Sequence, residues 1–292
     1  MQSRPWEFGV KEMPAREWSE GLGSMIAVAM FLGGIAGGLY LVSLYFNSIW
    51  GMFIAWIFAL GMGLFDMVHL SKPARLWRIA FRAGSSWISR GFIFVILFIG
   101  AAGLQLLIHL LTGAGAADPT ATEVFFRVVA GILAFGVAVY SGFVLGFVNG
   151  IKFWNSALMP ILVVIGGLAG GSTVLLAISS YSTQSTFASI QTFVMFILAA
   201  YVISIFILLW VSTYSGPVAK DSAKLLLSGN LAMLFWLIIV LIGIAIPLVL
   251  TFVAGSGSQV LLILSAACAL LGNMGLRYSL IRAGRYSPLV PS

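Results

Sequence analysis

Cysteine and histidine are nearly absent from this 292-residue chain: there is one cysteine, Cys268, and two histidines, His69 and His109. A single cysteine, lying inside an apolar run, excludes an internal disulfide and an iron–sulfur cluster ligated by this chain alone. The two histidines are expected near opposite membrane faces, which excludes a haem held between two imidazoles. No group of residues reads as a metal site. Carboxylates are also scarce, eight against fifteen Lys and Arg, and charged residues make up only 8% of the chain. Soluble domains carry about 25%. Residues 1–20 are polar and of mixed charge, and the first apolar run is too long for a signal-peptide core, so no cleavable signal is expected.

In place of charge there is apolar surface. The chain is 61% hydrophobic with a mean hydropathy of +1.10, the balance of a polytopic membrane protein. Its net charge of +7 does not point to nucleic acid, because the basic residues sit between apolar runs, as membrane orientation requires. Eight runs, at roughly 22–46, 51–70, 91–112, 125–149, 157–179, 190–213, 229–253 and 259–281, each reach the ~20 residues needed to cross ~30 Å of hydrocarbon. Connections are short, so consecutive helices should pack antiparallel. Trp6 and Trp18 in the lead-in are candidate interface anchors.

Eight spans place both termini and loops 2–3, 4–5 and 6–7 on one side. That side collects Arg4, Lys11, Arg16, Lys72, Arg75, Arg78, Arg82, Arg90, Lys152, Lys220, Lys224, Arg277, Arg282 and Arg285. The other side has Arg127 beside Asp118 and Glu123. By the positive-inside rule the basic side is cytoplasmic.

The chain also repeats itself. Gly33-Gly34-Ile-Ala-Gly37-Gly38 in the first span is matched by Gly166-Gly167-Leu-Ala-Gly170-Gly171 in the fifth. Ser71-Lys72-Pro73-Ala-Arg75 after the second is echoed by Ser215-Gly216-Pro217-Val-Ala-Lys220 after the sixth. Ser89-Arg90-Gly91 at the start of the third is echoed by Ser228-Gly229 at the start of the seventh. The expected fold is an all-α integral membrane protein of eight helices, built as two four-helix bundles related by an internal repeat. Its parts are a lead-in (residues 1–20), a first half (21–155) and a second half (156–292). Rows of small residues let helix backbones approach closely, so the glycine rows read as packing seams.

The halves differ in chemistry. The stretch from Asp66 to Gly91 holds one of the eight carboxylates, one of the two histidines and a run of basic residues with Trp77 and Trp87. Asp66 and His69 lie three residues apart near the end of the second span and share a helix face. A carboxylate there is expected to face the bundle or a wet cavity, and an imidazole exchanges protons near neutrality. The equivalent place in the second half has Thr213 and Tyr214, and no acid or imidazole. The pair therefore suits a proton-coupled site at the membrane boundary, with the second half as scaffold. Tyr140, mid-span beside Ser141, is placed either to bond a carbonyl oxygen or relay a proton, or to bond a neighbouring helix. Glu20 either caps the first span or reaches the same cavity. His109 and Gln105 form a polar track or mark the interface, and Arg127 reads as a boundary residue.

Two segments carry a family resemblance. Phe31-Leu-Gly-Gly-Ile-Ala-Gly-Gly38 and His69-Leu-Ser-Lys-Pro-Ala-Arg-Leu-Trp-Arg78, followed by Ser86-Trp-Ile-Ser-Arg-Gly91, resemble the NrfD/PsrC-type membrane subunits and the related DmsC-type anchors. Leu271-Gly-Asn-Met-Gly-Leu-Arg277-Tyr278 resembles the family's last helix. The sequence departs at Ser71, where glycine is usual, and lacks the extra helices of longer members. The resemblance implies a quinone-reactive subunit, for menaquinone or ubiquinone, with no haem or cluster of its own. It further implies a four-cluster ferredoxin-like partner that serves a molybdenum- or tungsten-type catalytic subunit. On this reading Asp66 and His69 exchange protons with the quinone ring. Tyr140, Glu20, Trp87 and Arg75 complete the pocket, and Lys72, Arg75, Arg78, Arg82 and Arg90 dock the partner. Well-known relatives carry this face toward the periplasm, whereas the charge rule here favours the cytoplasm of a prokaryotic cell membrane. A transporter should carry its site in both halves. A purely structural anchor would lack quinol-dependent turnover.

Overall fold

Helices that are apolar on every side need a solvent that is not water, and this protein is built from them. The computed structural model describes residues 12–69, 81–113, 119–179 and 183–288. Among these residues are eight helices long and apolar enough to cross a membrane. They are α1 (Ser24–Tyr45), α2 (Ile49–His69), α3 (Trp87–Gly113), α4 (Ala121–Gly146), α5 (Leu158–Ile178), α6 (Gln184–Ser212), α7 (Leu234–Val253) and α8 (Gln259–Arg282). Large apolar side chains such as Ile132, Phe196, Phe206 and Phe252 are exposed around the bundle. Such a belt would drive aggregation in water and fits a lipid-facing surface.

Two helices sit at the centre. α1 and α5 are each 67% buried along their most apolar window, against 28% for α2 and α7. They cross on the glycine rows. A Cβ on Gly38 would lie 2.2 Å from the carbonyl carbon of Gly167, and one on Gly167 would lie 2.3 Å from the oxygen of Gly34. A Cβ on Gly171 would lie 2.4 Å from the Leu39 nitrogen. Lipid removes the hydrophobic drive between helices, so close backbone packing of this kind supplies the association. Around α1 pack α2 and α4, and α3 closes between them. Around α5 pack α6 and α8, and α7 touches both. α4 also contacts α5, and α8 contacts α1.

Span ends shift where polar residues are helical. α6 begins at Gln184, six residues before the expected start, because Gln184-Ser-Thr continue the helix. α7 begins five residues later than expected, because the 6–7 connection contains a helix of its own, Pro217–Leu227. Gly216, at φ 118°, turns the backbone into that helix, and Pro217 occupies its first turn, where no N–H is needed. Arg277 also departs from expectation. Counted above with the basic side, it is 2% exposed inside the bundle, and its Nη2 donates to the Val163 carbonyl at 2.8 Å.

One end of the bundle gathers the lead-in, the 4–5 connection and the C-terminal residues up to 288. Met13–Pro14 (β1) pairs antiparallel with Arg285–Tyr286 (β2), and Ala15 N–H donates to Gly284 O at 3.1 Å. Glu12 forms an ion pair with Arg285. Trp154, fully buried, donates to Leu280 O at 2.7 Å and meets Trp18 edge-on at 5.3 Å. The C-terminal segment thus fixes the lead-in, including the short helix Arg16–Ser19, across the entrance to the first four helices.

Candidate functional site

Beneath that lead-in lies a cavity of about 230 Å³. Met25, Ile26, Ala29 and Met30 of α1 form one apolar wall, and Ile88 and Val144 form another. Four polar side chains line it: Glu17 of the lead-in, Asp66 on α2, and Tyr140 and Ser141 on α4. Asp66 is half-buried near the end of α2. Ser141 is buried, and its Oγ has no hydrogen-bond partner among the described residues. A buried hydroxyl normally has a partner, so this one is suited to a bound molecule. Gly91 explains how Tyr140 reaches its position: a Cβ there would lie 2.1 Å from the phenol ring. The glycine of the Ser89-Arg90-Gly91 turn-in to α3 therefore makes room for the tyrosine.

The cavity's roof is held from the other half of the protein. The Tyr286 hydroxyl donates to Glu17 Oε1 at 2.5 Å. Partial burial, with Glu17 as acceptor, pushes the Tyr286 phenol upward, so it stays a donor at neutral pH. Trp18 packs on Trp154 and lines the cavity as well.

Of the residues proposed from sequence, Asp66 and Tyr140 are brought together on this cavity. α2 runs to His69, but the His69 side chain, with Lys72, Arg75, Trp77 and Arg78, lies outside the described residues. Glu20 is exposed, 3.8 Å from Arg16 one turn away, and is not part of the lining. Trp87 is not part of it either. It stacks on Phe143 at 4.2 Å and 10°, with the Arg90 guanidinium 4.4 Å above its ring. Arg90 also donates to Ala83 O at 2.8 Å and Gly84 O at 2.9 Å, which ties the 81–85 turn to α3. Arg82 is exposed on that turn.

Sequence reasoning missed three features. Glu17 lines the cavity although it sits in the lead-in, where an acid reads as surface. Glu123 is 1% exposed and anchors a network with Gln105, His109 and Arg127. The signal was present in two i, i+4 pairs, Gln105/His109 and Glu123/Arg127, that face each other. Asn273 and Arg277, also i, i+4, project into the core of the second half beside Tyr201. Asn273 Nδ2 donates to Gly166 O at 2.5 Å, while the Tyr201 hydroxyl and two guanidinium nitrogens of Arg277 have no partner among the described residues. No cluster of three or more potential metal ligands occurs among the described residues.

Comparison with known proteins finds a likeness over nearly the full length. The family profile described as "Polysulphide reductase, NrfD" matches residues 20–288. The sequence is 26% identical to the C subunit of polysulfide reductase from Wolinella succinogenes over 299 aligned residues, spanning 89% of this protein and 93% of that one. With eight apolar helices and a family match running from the lead-in to the last strand, the chain is a multi-pass membrane protein and belongs to the NrfD polysulphide reductase family.

Proposed function

We propose that this protein is the quinone-reactive membrane subunit of a multisubunit oxidoreductase, and that the cavity between Asp66, Tyr140 and Ser141 is its quinone site. The observation that carries the reading is the cavity itself. It is walled by apolar side chains and lined by two carboxylates and a buried hydroxyl with no partner among the described residues. Ligand pockets are commonly apolar with a few convergent polar groups, in volumes of roughly 300–1,000 Å³. About 230 Å³ accommodates a ring head, with the isoprenoid tail left in lipid.

Quinol oxidation releases two protons and two electrons. Asp66 and His69, one turn apart, accept the protons at the aqueous end, and Tyr140 and Ser141 orient the ring oxygens by hydrogen bonding. The electrons leave through a partner, because the lone cysteine of this subunit cannot hold a cluster. The relative's designation as one subunit of polysulfide reductase supports companion subunits. We assign these as a four-cluster ferredoxin-like protein and a molybdenum- or tungsten-type catalytic subunit. Lys72, Arg75, Arg78 and Arg82 attract the acidic face of the ferredoxin-like protein. Arg90 acts mainly by holding the neighbouring turn.

The same reading takes the fold as two four-helix halves of common descent. The adjacencies support it: each contact within α1–α4 has a counterpart four helices later, and the α4–α5 contact matches α8–α1. The basic end faces the cytoplasm of a prokaryotic cell membrane. Purifying the complex assembled on this subunit and following oxidation of a short-chain quinol tests the proposal. Quinol-dependent turnover that falls away in Asp66→Asn is expected, and a complex that never turns over quinol would leave only the anchor role.

A further inference from the structure

At the opposite end of the first four helices is a second polar centre that this reading does not use. Glu123, a turn into α4, accepts from Arg127 Nη2 at 2.7 Å and Nε at 3.0 Å, and from Gln105 Nε2 at 3.3 Å. His109 Nδ1 lies 3.1 Å from the same carboxylate oxygen. Arg127 Nη1 donates to Asn47 Oδ1 at 2.5 Å, so the guanidinium is engaged on both sides. The Tyr40 hydroxyl donates to Gln105 Oε1 at 3.5 Å, which extends the network inward.

This arrangement sets the tautomer of His109. A carboxylate at Nδ1 keeps the proton on that nitrogen, and the neutral ring then presents Nε2 as a lone-pair acceptor. Nε2 has no partner among the described residues. The ring is 27% exposed and lines a groove of about 440 Å³ between the start of α2 and the end of α3. Trp50, Phe53, Leu106 and Leu110 form its walls, with the Trp50 and Phe53 rings edge to face at 6.4 Å. The groove therefore offers aromatic and aliphatic walls, an open lipid side, and one hydrogen-bond acceptor backed by a buried carboxylate.

We propose that this groove is a second amphiphile site, and that its ligand is a hydroxyl-bearing aromatic head of the hydroquinone class, donating its O–H to His109 Nε2. A phospholipid phosphate fits less well. It is acceptor-only and needs cationic donors, and the cation at hand, Arg127, is already held by Glu123 and Asn47. The proposal concerns binding alone and stands whether or not the Asp66 cavity takes a quinone.

Equilibrium binding of a radiolabelled short-chain hydroquinone to the full-length protein in phosphatidylcholine nanodiscs tests it. Two equivalents are expected for the unaltered protein. His109→Phe should weaken one of them roughly fivefold, as loss of a hydrogen bond worth about 1 kcal/mol implies. His109→Gln, which keeps an acceptor, should retain most of it, and Trp50→Ala should weaken the same equivalent. The dimethyl ether of the ligand, with no O–H to donate, should fail to compete there. Asp66→Asn should leave this equivalent untouched, and if it alters neither equivalent, the failure falls on the cavity reading and not on this one. Unchanged binding in both His109→Phe and Trp50→Ala would overturn the proposal. So would equal competition by the ether, and displacement by phosphatidylglycerol would assign the groove to lipid instead.

Discussion

The first four helices bury one carboxylate, Glu123, and set another, Asp66, on a cavity, whereas the last four bury a cation. Asp66 lines a cavity and Glu123 is anchored by three donor side chains, both in the first half. From residue 156 onward the only carboxylate side chain is Asp221, half exposed on the short helix beyond α6, where it pairs with Lys224 at 3.5 Å. The buried charge of that half is Arg277, donating to a backbone carbonyl of α5. Charged groups in hydrocarbon are costly and persist where they are paired or used. The contrast teaches that similar helix arrangements can carry different work. Carboxylates that meet a cavity can trade protons with a ligand, while a guanidinium stays charged at any pH the protein meets. The second half still contributes to the first: the Tyr286 hydroxyl holds Glu17 over the cavity, and the Leu280 carbonyl anchors Trp154, on which Trp18 packs.

The largest expected effect sets the halves directly against each other. Asp66→Asn combined with His69→Ala should lower quinol oxidation by the assembled complex roughly 100-fold or more, the scale of a lost proton acceptor. Thr213→Ala with Tyr214→Phe, at the matching place after α6, should stay within about twofold. Comparable losses in both pairs would erase the distinction. Next in size is Gly91→Leu, which drives a side chain into the space of the Tyr140 ring. Turnover should fall about tenfold while assembly persists, because only one hydrogen-bonding group is displaced. Tyr140→Phe should give a similar loss, and a Gly91→Leu complex at full rate would remove Tyr140 from the site.

Much of this fold was legible in the sequence, because helices in lipid announce themselves by length and apolarity. The eight spans followed from runs of apolar residues, and the glycine rows read as packing seams, but that the rows of α1 and α5 pack on each other was visible only in the structure. The helix Pro217–Leu227 did not, since eleven residues of mixed polarity between two long apolar runs read as a connection. The Asp66–Tyr140 encounter was only half legible: an acid near a span end is visible, whereas its partner on α4 depends on how α3 and α4 pack at Gly91. Glu17 and Glu123 were missed for opposite reasons. Glu17 belongs to a segment whose position is fixed by β2, far away in sequence, and Glu123 lies so near the start of α4 that burial could not be inferred from hydropathy.

Smaller effects sharpen the contrast between the basic residues. Arg82→Glu should weaken association with the cluster-bearing partner a fewfold at low salt, and the difference should shrink as screening shortens to ~10 Å at 0.1 M. Arg90→Glu should act on thermal stability, because its guanidinium already binds Ala83 O, Gly84 O and the Trp87 face. Equal salt-dependent losses of association in both variants would merge their roles. Smallest is Tyr286→Phe. It should lower stability by about 1 kcal/mol or less, with a modest decrease in turnover as Glu17 loses its donor. No change in either quantity would mean that the clasp does not position the roof.

The most direct test of the central claim, a proton-coupled ring-binding cavity beside Asp66 in the first half, uses the protein's lone cysteine. Cys268→Ser removes the native thiol, and Ser141→Cys then places one on the cavity wall, where Ser141 Oγ has no partner among the described residues. The rate of maleimide labelling is measured with and without a saturating short-chain quinone. Bound quinone is expected to slow labelling at position 141 at least about tenfold, and the protection is expected to be lost in Asp66→Asn. Labelling at the same rate with and without quinone, in a protein that still oxidises quinol in its complex, would contradict that claim.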